Sequence, residues 1–523
     1  MRFARAVALI TGFTVATRGL GFVFRIILAQ MLGAEMLGVY QIAFSFFLVF
    51  LTAIASGLPL IISRQVSSLP ADNKRQRIRG IITSGLIISL TLSVAIILLV
   101  YTLQGPFSHL FTDDRSMHIL LIFIPAILAT SIYTVLRAVW WGQKRFFMLG
   151  ATELSEIVAR LTIFFIMLAF AFAFTDMASM AALSFTISCV ISATIVVILY
   201  LVEQRKTKKN QNLKKQENYK KYTYEYLKPQ LKSATPITTV RVITSVALPL
   251  IAIIIPMRLV TAGWSASEAV AAFGIAVGMT LPLLSIPQTV ISSMSTALVP
   301  ELSSALKQRD FVRINTQISN CIKYTLFINF LLIPPFIAVG TGIGQFLFAN
   351  ERAGIYLAQS AWIMIPMSLS LITNAILNSL GAETRAMMHY VIGSAFLFIC
   401  VWFLPQFIGV GALIVGLGIC MSIAGVLNII QITRITKTET NFVRQLVALT
   451  LITIPSAMLG RFAYMLVTDH LPLFFSISLG GAVALGGLLL LAHTFKIVDF
   501  RDMKTNLLKR KSKRAILNNG NGD

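Results

Sequence analysis

Five arginines fall inside long apolar stretches of this sequence: Arg18, Arg25, Arg160, Arg241 and Arg461. A charged side chain in such a setting is costly and is normally kept for a partner, a wet cavity or a ligand. In the first stretch Thr14, Arg18, Gly21 and Arg25 recur at i, i+4, i+7 and i+11, the spacing that puts residues on one face of a helix. The two arginines then stand about 10 Å apart along the axis. Guanidinium stays charged at any physiological pH and grips phosphate oxygens in pairs. A ladder of two such cations suits a ligand with a multi-anionic head such as a diphosphate. Gly12, Gly19 and Gly21 predict a narrow helix that allows close approach. The competing use of the arginines is structural, each satisfying backbone carbonyls or a neighbouring acid.

Further along, Glu153 and Glu156 precede Arg160. Glu156 and Arg160 stand at i, i+4 and predict an ion pair, which lowers the cost of burying both. Their alternative use is proton or cation coupling. Arg241 lies close to Thr235, Thr238 and Thr239 and is a candidate for a second cation facing the first helix. Arg461 has no assigned role. The histidines (His109, His118, His389, His470, His493) and cysteines (Cys189, Cys321, Cys400, Cys420) are scattered, without metal-ligand spacing or an extracellular pair. No metal, cofactor, disulfide or catalytic constellation is expected, and the chain does not read as an enzyme.

The elements that must carry these residues follow from composition. Of 523 residues 56% are hydrophobic and 12% charged, with a mean hydropathy of +0.81. Soluble domains carry about 25% charged residues. A soluble enzyme, a disordered chain and a fibrous protein are therefore excluded. The apolar runs are continuous rather than alternating, so they predict helices and not a membrane barrel. A helix needs about 20 residues to span the hydrocarbon core. On that measure the sequence predicts an all-α polytopic membrane protein of about fourteen transmembrane helices. The first two are expected at 7–31 and 36–62, the fifth at 151–174 and the eighth at 268–297.

An even number of crossings puts both termini on one side. On that side lie 36 of the 44 lysines and arginines, whereas the other side has only Arg115, Arg258 and Arg352 among seven acids. The positive-inside rule then places both termini in the cytoplasm and the protein in the cytoplasmic membrane. The net charge of +24 is mostly topology. Its spread over eight cytoplasmic pieces argues against a nucleic-acid partner. Met1–Ala16 resembles a signal peptide, but Arg18 and Arg25 interrupt it, and a retained first helix is expected.

The chain divides into an N-lobe at 1–202 (helices one to six), a basic cytoplasmic linker at 203–232 and a C-lobe at 233–432 (helices seven to twelve). Helices thirteen and fourteen follow at 433–494, then a basic tail at 495–523. The linker suits a solvated segment touching anionic headgroups. Pro59 and Pro300, Leu136 and Leu377, and Lys144 and Arg385 each stand 241 residues apart, which predicts two six-helix lobes of parallel orientation. Parallel repeats with a site between them are a recurrent transporter plan. Pro236, Pro249, Pro256, Pro282 and Pro287 predict breaks in helices seven and eight.

Several stretches carry a family resemblance. ATRGLGFVFRIILAQMLGAEMLGVYQ (16–41) resembles the first-helix signature of the polysaccharide and lipid-linked oligosaccharide flippases of the MOP exporter superfamily. GLPLIISRQVS (57–67), LRAVWWGQKRFF (136–147), ELSEIVARL (153–161) and FGIAVGMTLPLLSIPQTVISSMSTALVPELS (273–303) are similar to the same family. The closest branch is that of stage V sporulation protein B and the lipid II flippases. The resemblance implies two six-helix lobes around a central cavity, with helices thirteen and fourteen beside it. It implies that Arg18 and Arg25 match the first-helix arginines facing a cationic cavity. It also shows a departure. Lipid II flippases carry further cavity arginines on helices two and eight, and the matching stretches here, near Phe44–Phe47 and Met279–Leu281, have none. Either the cargo differs from lipid II or Arg241 substitutes.

The expected function is translocation of a polyprenyl-diphosphate-linked oligosaccharide, a peptidoglycan precursor such as lipid II or a related envelope glycan, from the cytoplasmic to the outer leaflet by alternating access. The expected partners are this substrate, membrane lipids and either the membrane potential or a coupled cation, acting on a monomer. A cation-coupled multidrug antiporter of the same superfamily, a membrane glycosyltransferase and a non-transporting envelope-assembly scaffold are the rivals. The antiporter would need a buried acid where the first helix has two arginines.

Overall fold

The computed structural model describes residues 2–69, 74–170, 176–208, 219–436 and 442–495, which form helices and no strand. The first half contains α1 (Arg2–Ala55), α2 (Gly57–Ser67), α3 (Lys74–Thr102), α4 (Gln104–Ser108), α5 (Arg115–Phe123), α6 (Ala126–Gly142), α7 (Phe146–Phe170), α8 (Met177–Lys208), α9 (Tyr219–Ser245), α10 (Ala247–Thr261) and α11 (Ala266–Phe273). A π-helical segment (Gly274–Thr280) leads into α12 (Leu281–Leu284), α13 (Ile286–Lys307), α14 (Phe311–Phe348), α15 (Glu351–Ser360), α16 (Met364–Ser379), α17 (Glu383–Phe403), α18 (Pro405–Ile408), α19 (Gly411–Thr436), α20 (Phe442–Thr468) and α21 (Leu473–Thr494). The tail beyond Phe495 and the linker centre, 209–218, lie outside the described residues. The ends of the expected linker are helical, 203–208 continuing α8 and 219–232 opening α9.

Among the described residues twelve helices are long and apolar enough to cross a membrane. The protein is a multi-pass, all-α membrane protein. Two features separate this number from the fourteen segments expected. The stretch Gly12–Ser67 counts once, yet Gly33 breaks its helical path with φ 69° and ψ 178°. That backbone region is open to glycine and closed to side chains bearing a Cβ. The second feature is α7, where Glu153, Glu156 and Arg160 put three charges into any span-length window.

Contacts divide the chain into two compact units, Met1–Met279 with Val401–Ala412, and Thr280–Cys400 with Leu413–Asp523. The first unit is larger than the expected N-lobe because α9 is seated on α2 and α3. A Cβ on Gly57 would lie 2.3 Å from Thr238 Oγ1, and one on Gly80 would lie 2.6 Å from Tyr222 Cβ. Gln230, fully buried, donates to Gln65 Oε1 at 2.9 Å and to the Ile81 carbonyl at 3.2 Å, and accepts from Ser84 Oγ at 3.0 Å.

Within the first unit, α1 packs against α7. Phe13 meets Phe147 and Phe24 meets Phe164, both edge-on at 5.6 Å between ring centroids. Both contacts advance together along the chain, so the two helices run in the same direction. Phe13 and Phe24 share one stripe of α1, and the stripe of Thr14, Arg18, Gly21 and Arg25 lies one residue, about 100°, round the helix. Nothing lies within 4 Å of a Cβ placed on Gly12, Gly19 or Gly21, so that face of the helix is open. A Cβ on Gly150 of α7 would lie 2.4 Å from the Phe13 ring, and on the later part of α1 backbone meets backbone: a Cβ on Gly38 would lie 2.1 Å from the Val270 carbonyl oxygen and one on Gly274 would lie 2.2 Å from that of Ala34. Small residues let membrane helices meet at backbone distance, since lipid gives no hydrophobic drive to associate.

In the second unit α20 and α21 pack on α14 through Ala338, Val339 and Ala484, with Ile343, Tyr464 and Ile477 around them. A buried polar chain runs through the same unit. Ser368 donates to Asn329 Oδ1 at 2.9 Å, and Asn428 donates to Thr373 Oγ1 at 3.2 Å. Pro282 and Pro287, expected to break helix eight, each stand in the first turn of a new helix, where the missing N–H costs nothing.

Candidate functional site

The arginine stripe stands on the first part of α1. Arg18 is exposed, and Thr14 and Arg25 are half-buried. No hydrogen bond or ion pair reaches the Arg25 guanidinium from any described residue. Its electrostatic neighbour is Tyr40, a residue 5% exposed on the later part of the same helix.

The second cation comes from α7. Arg160 Nη2 binds Glu156 Oε1 at 2.7 Å, the i, i+4 pair that the spacing predicts. Its Nε approaches Ser188 Oγ at 3.4 Å. Its guanidinium lies 4.1 Å from the centroid of the Phe185 ring, a cation–π contact from α8. Arg160 and Glu156 keep 16% and 23% of their side-chain surface, so neither is sealed from a ligand. The Tyr40 hydroxyl feels both Arg25 and Arg160. Arg25 adjoins Phe24, whose ring meets Phe164 one turn beyond Arg160, so the two cations stand on one packed pair of helices, α1 and α7.

The other candidate residues separate from this group. Glu153 binds Arg137 at 3.1 Å rather than Arg160. Arg241 is exposed on α9 and makes no ion pair among the described residues. Arg461 is exposed on α20. Where the resemblance leads one to look for an arginine on helix two, Phe44 and Phe47 instead pack against Phe123 and Phe185, with centroids 5.2–5.6 Å apart. That aromatic block supports the Phe185 ring beneath Arg160.

Three residues of the site are not marked by the sequence: Tyr40, Tyr133 and Ser188. The Tyr133 hydroxyl is buried and makes no well-formed hydrogen bond, but it stands within weak hydrogen-bonding reach of the Glu156 carboxylate. Tyr133 and Arg137 are one turn apart, as are Glu156 and Arg160, so polar residues at i, i+4 in apolar runs were the available signal. Ser188 gives none, because serines are frequent throughout α8.

A separate charged cluster stands between the long helices. Arg115 binds Asp113 at 2.6 Å and also pairs with Glu35, which follows the break at Gly33. Burial alone would raise the Asp113 carboxyl, but its bonds from the Arg115 side chain and backbone outweigh that and hold it below the usual carboxylate range.

Comparison with known proteins places this arrangement. Stage V sporulation protein B of Bacillus subtilis (strain 168) is 23% identical over 397 residues, 75% of this chain and 76% of that protein. The lipid II flippase MurJ, in an inward closed conformation, superposes with a TM-score of 0.63 at 17% identity, covering 95% of this chain and 99% of its own. An inward-facing multidrug resistance MATE family transporter of the MOP superfamily gives 0.65 at 15% identity, covering 80% and 96%. The fold is therefore that of MOP superfamily transporters. Residues 3–306 match the family described as polysaccharide biosynthesis protein. That stretch holds the arginine stripe, the Glu156–Arg160 pair and Arg241, and by it the chain belongs to the polysaccharide biosynthesis protein family.

Proposed function

We propose that this protein is a flippase that carries a polyprenyl-diphosphate-linked oligosaccharide from the cytoplasmic to the outer leaflet of the cell membrane. The observation that carries the reading is Arg25, a half-buried permanent cation that no acid among the described residues neutralises. A diphosphate would supply two neighbouring anionic groups to Arg18 and Arg25, while the polyprenyl chain stays in lipid. Family membership and the fold shared with a lipid II flippase support the substrate class. Fourteen crossings, with α1 divided at Gly33 and α7 counted, put both termini in the cytoplasm. An inside-negative potential then favours outward movement of an anion by about 2.3 kcal/mol per charge per 100 mV.

The rival with a structural argument is the cation-coupled multidrug antiporter, since a MATE family transporter shares the fold. It needs an acid open to a cation. On α7, which packs against the stripe's helix, Glu156 is already bound to Arg160 and Glu153 to Arg137. Full-length protein in liposomes separates the readings. The flippase reading predicts that a fluorescent polyprenyl-diphosphate disaccharide becomes accessible to an added reductant in both leaflets only when the protein is present. The antiporter reading predicts instead gradient-driven movement of a cationic dye. Movement of neither leaves an assembly scaffold.

A further inference from the structure

Arg25 and Arg160 differ in one respect. Both stand on the packed stretch of α1 and α7 where Phe24 meets Phe164, but Arg160 already holds an anion and Arg25 does not. An ion pair in an apolar setting is costly to break unless each partner is offered a replacement. Both replacements are at hand. An anionic ligand drawn to Arg25 would bring its second charge toward Arg160. The released Glu156 carboxylate would find the Tyr133 hydroxyl, which is 6% exposed, makes no well-formed hydrogen bond and already stands beside that carboxylate, so a small shift completes the bond. Phe185 and Ser188 hold the Arg160 guanidinium in place from α8 while its acid changes.

We propose that Glu156 is a resident substitute for the ligand's second anionic group. It occupies Arg160 in the empty protein and moves to Tyr133 when a diphosphate bridges Arg25 and Arg160. The inference rests on the flippase reading and adds to Arg18 and Arg25 a third cation, from α7, and an internal competitor that sets affinity. The competitor has a use in transport: by keeping binding moderate it lets the cargo leave on the far side. It also answers the charge problem of the empty site, because a second unpaired cation beside Arg25 would be costly in lipid.

The test is binding of farnesyl diphosphate to detergent-solubilised full-length protein, with farnesyl monophosphate as the comparison. Glu156→Gln frees Arg160 and is expected to tighten diphosphate binding about tenfold, a typical size for coupling between sites. Arg160→Gln is expected to weaken it by about the same factor. In the Arg160→Gln background, Glu156→Gln should add nothing, because the cation it competes for is gone. Tyr133→Phe removes the alternative seat and should weaken diphosphate binding while leaving the melting temperature of the empty protein unchanged. It serves also if Glu156→Gln fails to fold. The monophosphate should respond least to all of these changes. Unchanged or weaker binding by a folded Glu156→Gln variant, or an unaffected Tyr133→Phe, would overturn the exchange. If Arg25→Ala still weakens binding in that case, the flippase reading stands without it. No diphosphate binding by the unaltered protein would overturn both.

Discussion

Arg25 and Arg115 are both arginines of the first unit, and their surroundings give them opposite tasks. Arg115 is satisfied by Asp113 and Glu35 and is half exposed, with 48% of its side-chain surface free. Such a pair is worth about 1 kcal/mol at most, because water and salt screen it. Its contribution has a pH signature. The Asp113 carboxyl titrates lower in the folded protein than in the unfolded chain. The stabilisation is present above the unfolded carboxylate's pKa and is lost as pH falls through the folded one. Arg115→Gln should therefore lower the melting temperature slightly at neutral pH, and the difference from the unaltered protein should vanish in strong acid. Thermal melts followed by tryptophan fluorescence over that pH range check both parts. Arg25 has no such partner, and its stripe was legible in the sequence because helical spacing depends on neighbours along one chain. The same holds for Glu156 and Arg160. Tyr40, Tyr133 and Ser188 were not legible as site residues, because Tyr133 and Ser188 meet Glu156 and Arg160 from other helices and Tyr40 lies beyond the break at Gly33.

At the scale of elements, the division of α1 at Gly33 decides how its two parts work. The earlier part is open along Gly12, Gly19 and Gly21, whereas the later part is pressed against α11 at Gly38 and Gly274. The glycines by themselves do not tell an observer which are for packing, since all lie in apolar helices. What separates them is whether another backbone stands opposite. Gly38→Leu would drive its side chain into the Val270 carbonyl, which a Cβ already approaches to 2.1 Å. We expect it to cost about 1–3 kcal/mol, the usual toll of overpacking, or to cut the yield of folded protein. Gly19→Ala meets nothing within 4 Å and should stay within about 0.5 kcal/mol of the parent. Melting temperatures and size-exclusion profiles of the two variants in detergent decide whether the glycine face of the earlier part is open while the later part is packed backbone to backbone. The internal offset of 241 residues has its counterpart at this break: Gly33 shifted by that offset is Gly274, the first residue of the π-helical segment.

For the whole molecule, hydropathy and charge pattern already conveyed a helical membrane protein, because the bilayer leaves few alternatives. What they conveyed less well was how contacts would group the helices. The packing of α9 on α2 and α3 depends on Gly57, Gly80 and Gln230, whose partners lie far away in sequence. The fourteen-crossing reading depends on α7 crossing despite three charges, and this is testable from outside the cell. In a background whose four native cysteines are replaced, a cysteine at Asp176 or His470 should react with an impermeant maleimide in intact cells, while one at Asn519 should react only after permeabilisation. An α7 that does not cross would reverse all three results, leaving Asp176 and His470 shielded in intact cells and Asn519 exposed. The central claim is that the cations on α1 carry an anionic lipid, and the most direct measurement is flipping by the Arg18→Ala, Arg25→Ala double variant. In liposomes loaded with a fluorescent polyprenyl-diphosphate disaccharide, this variant is expected to insert as well as the parent and to move no lipid above the protein-free background. Transport at the parent's rate by a correctly inserted double variant would contradict the claim.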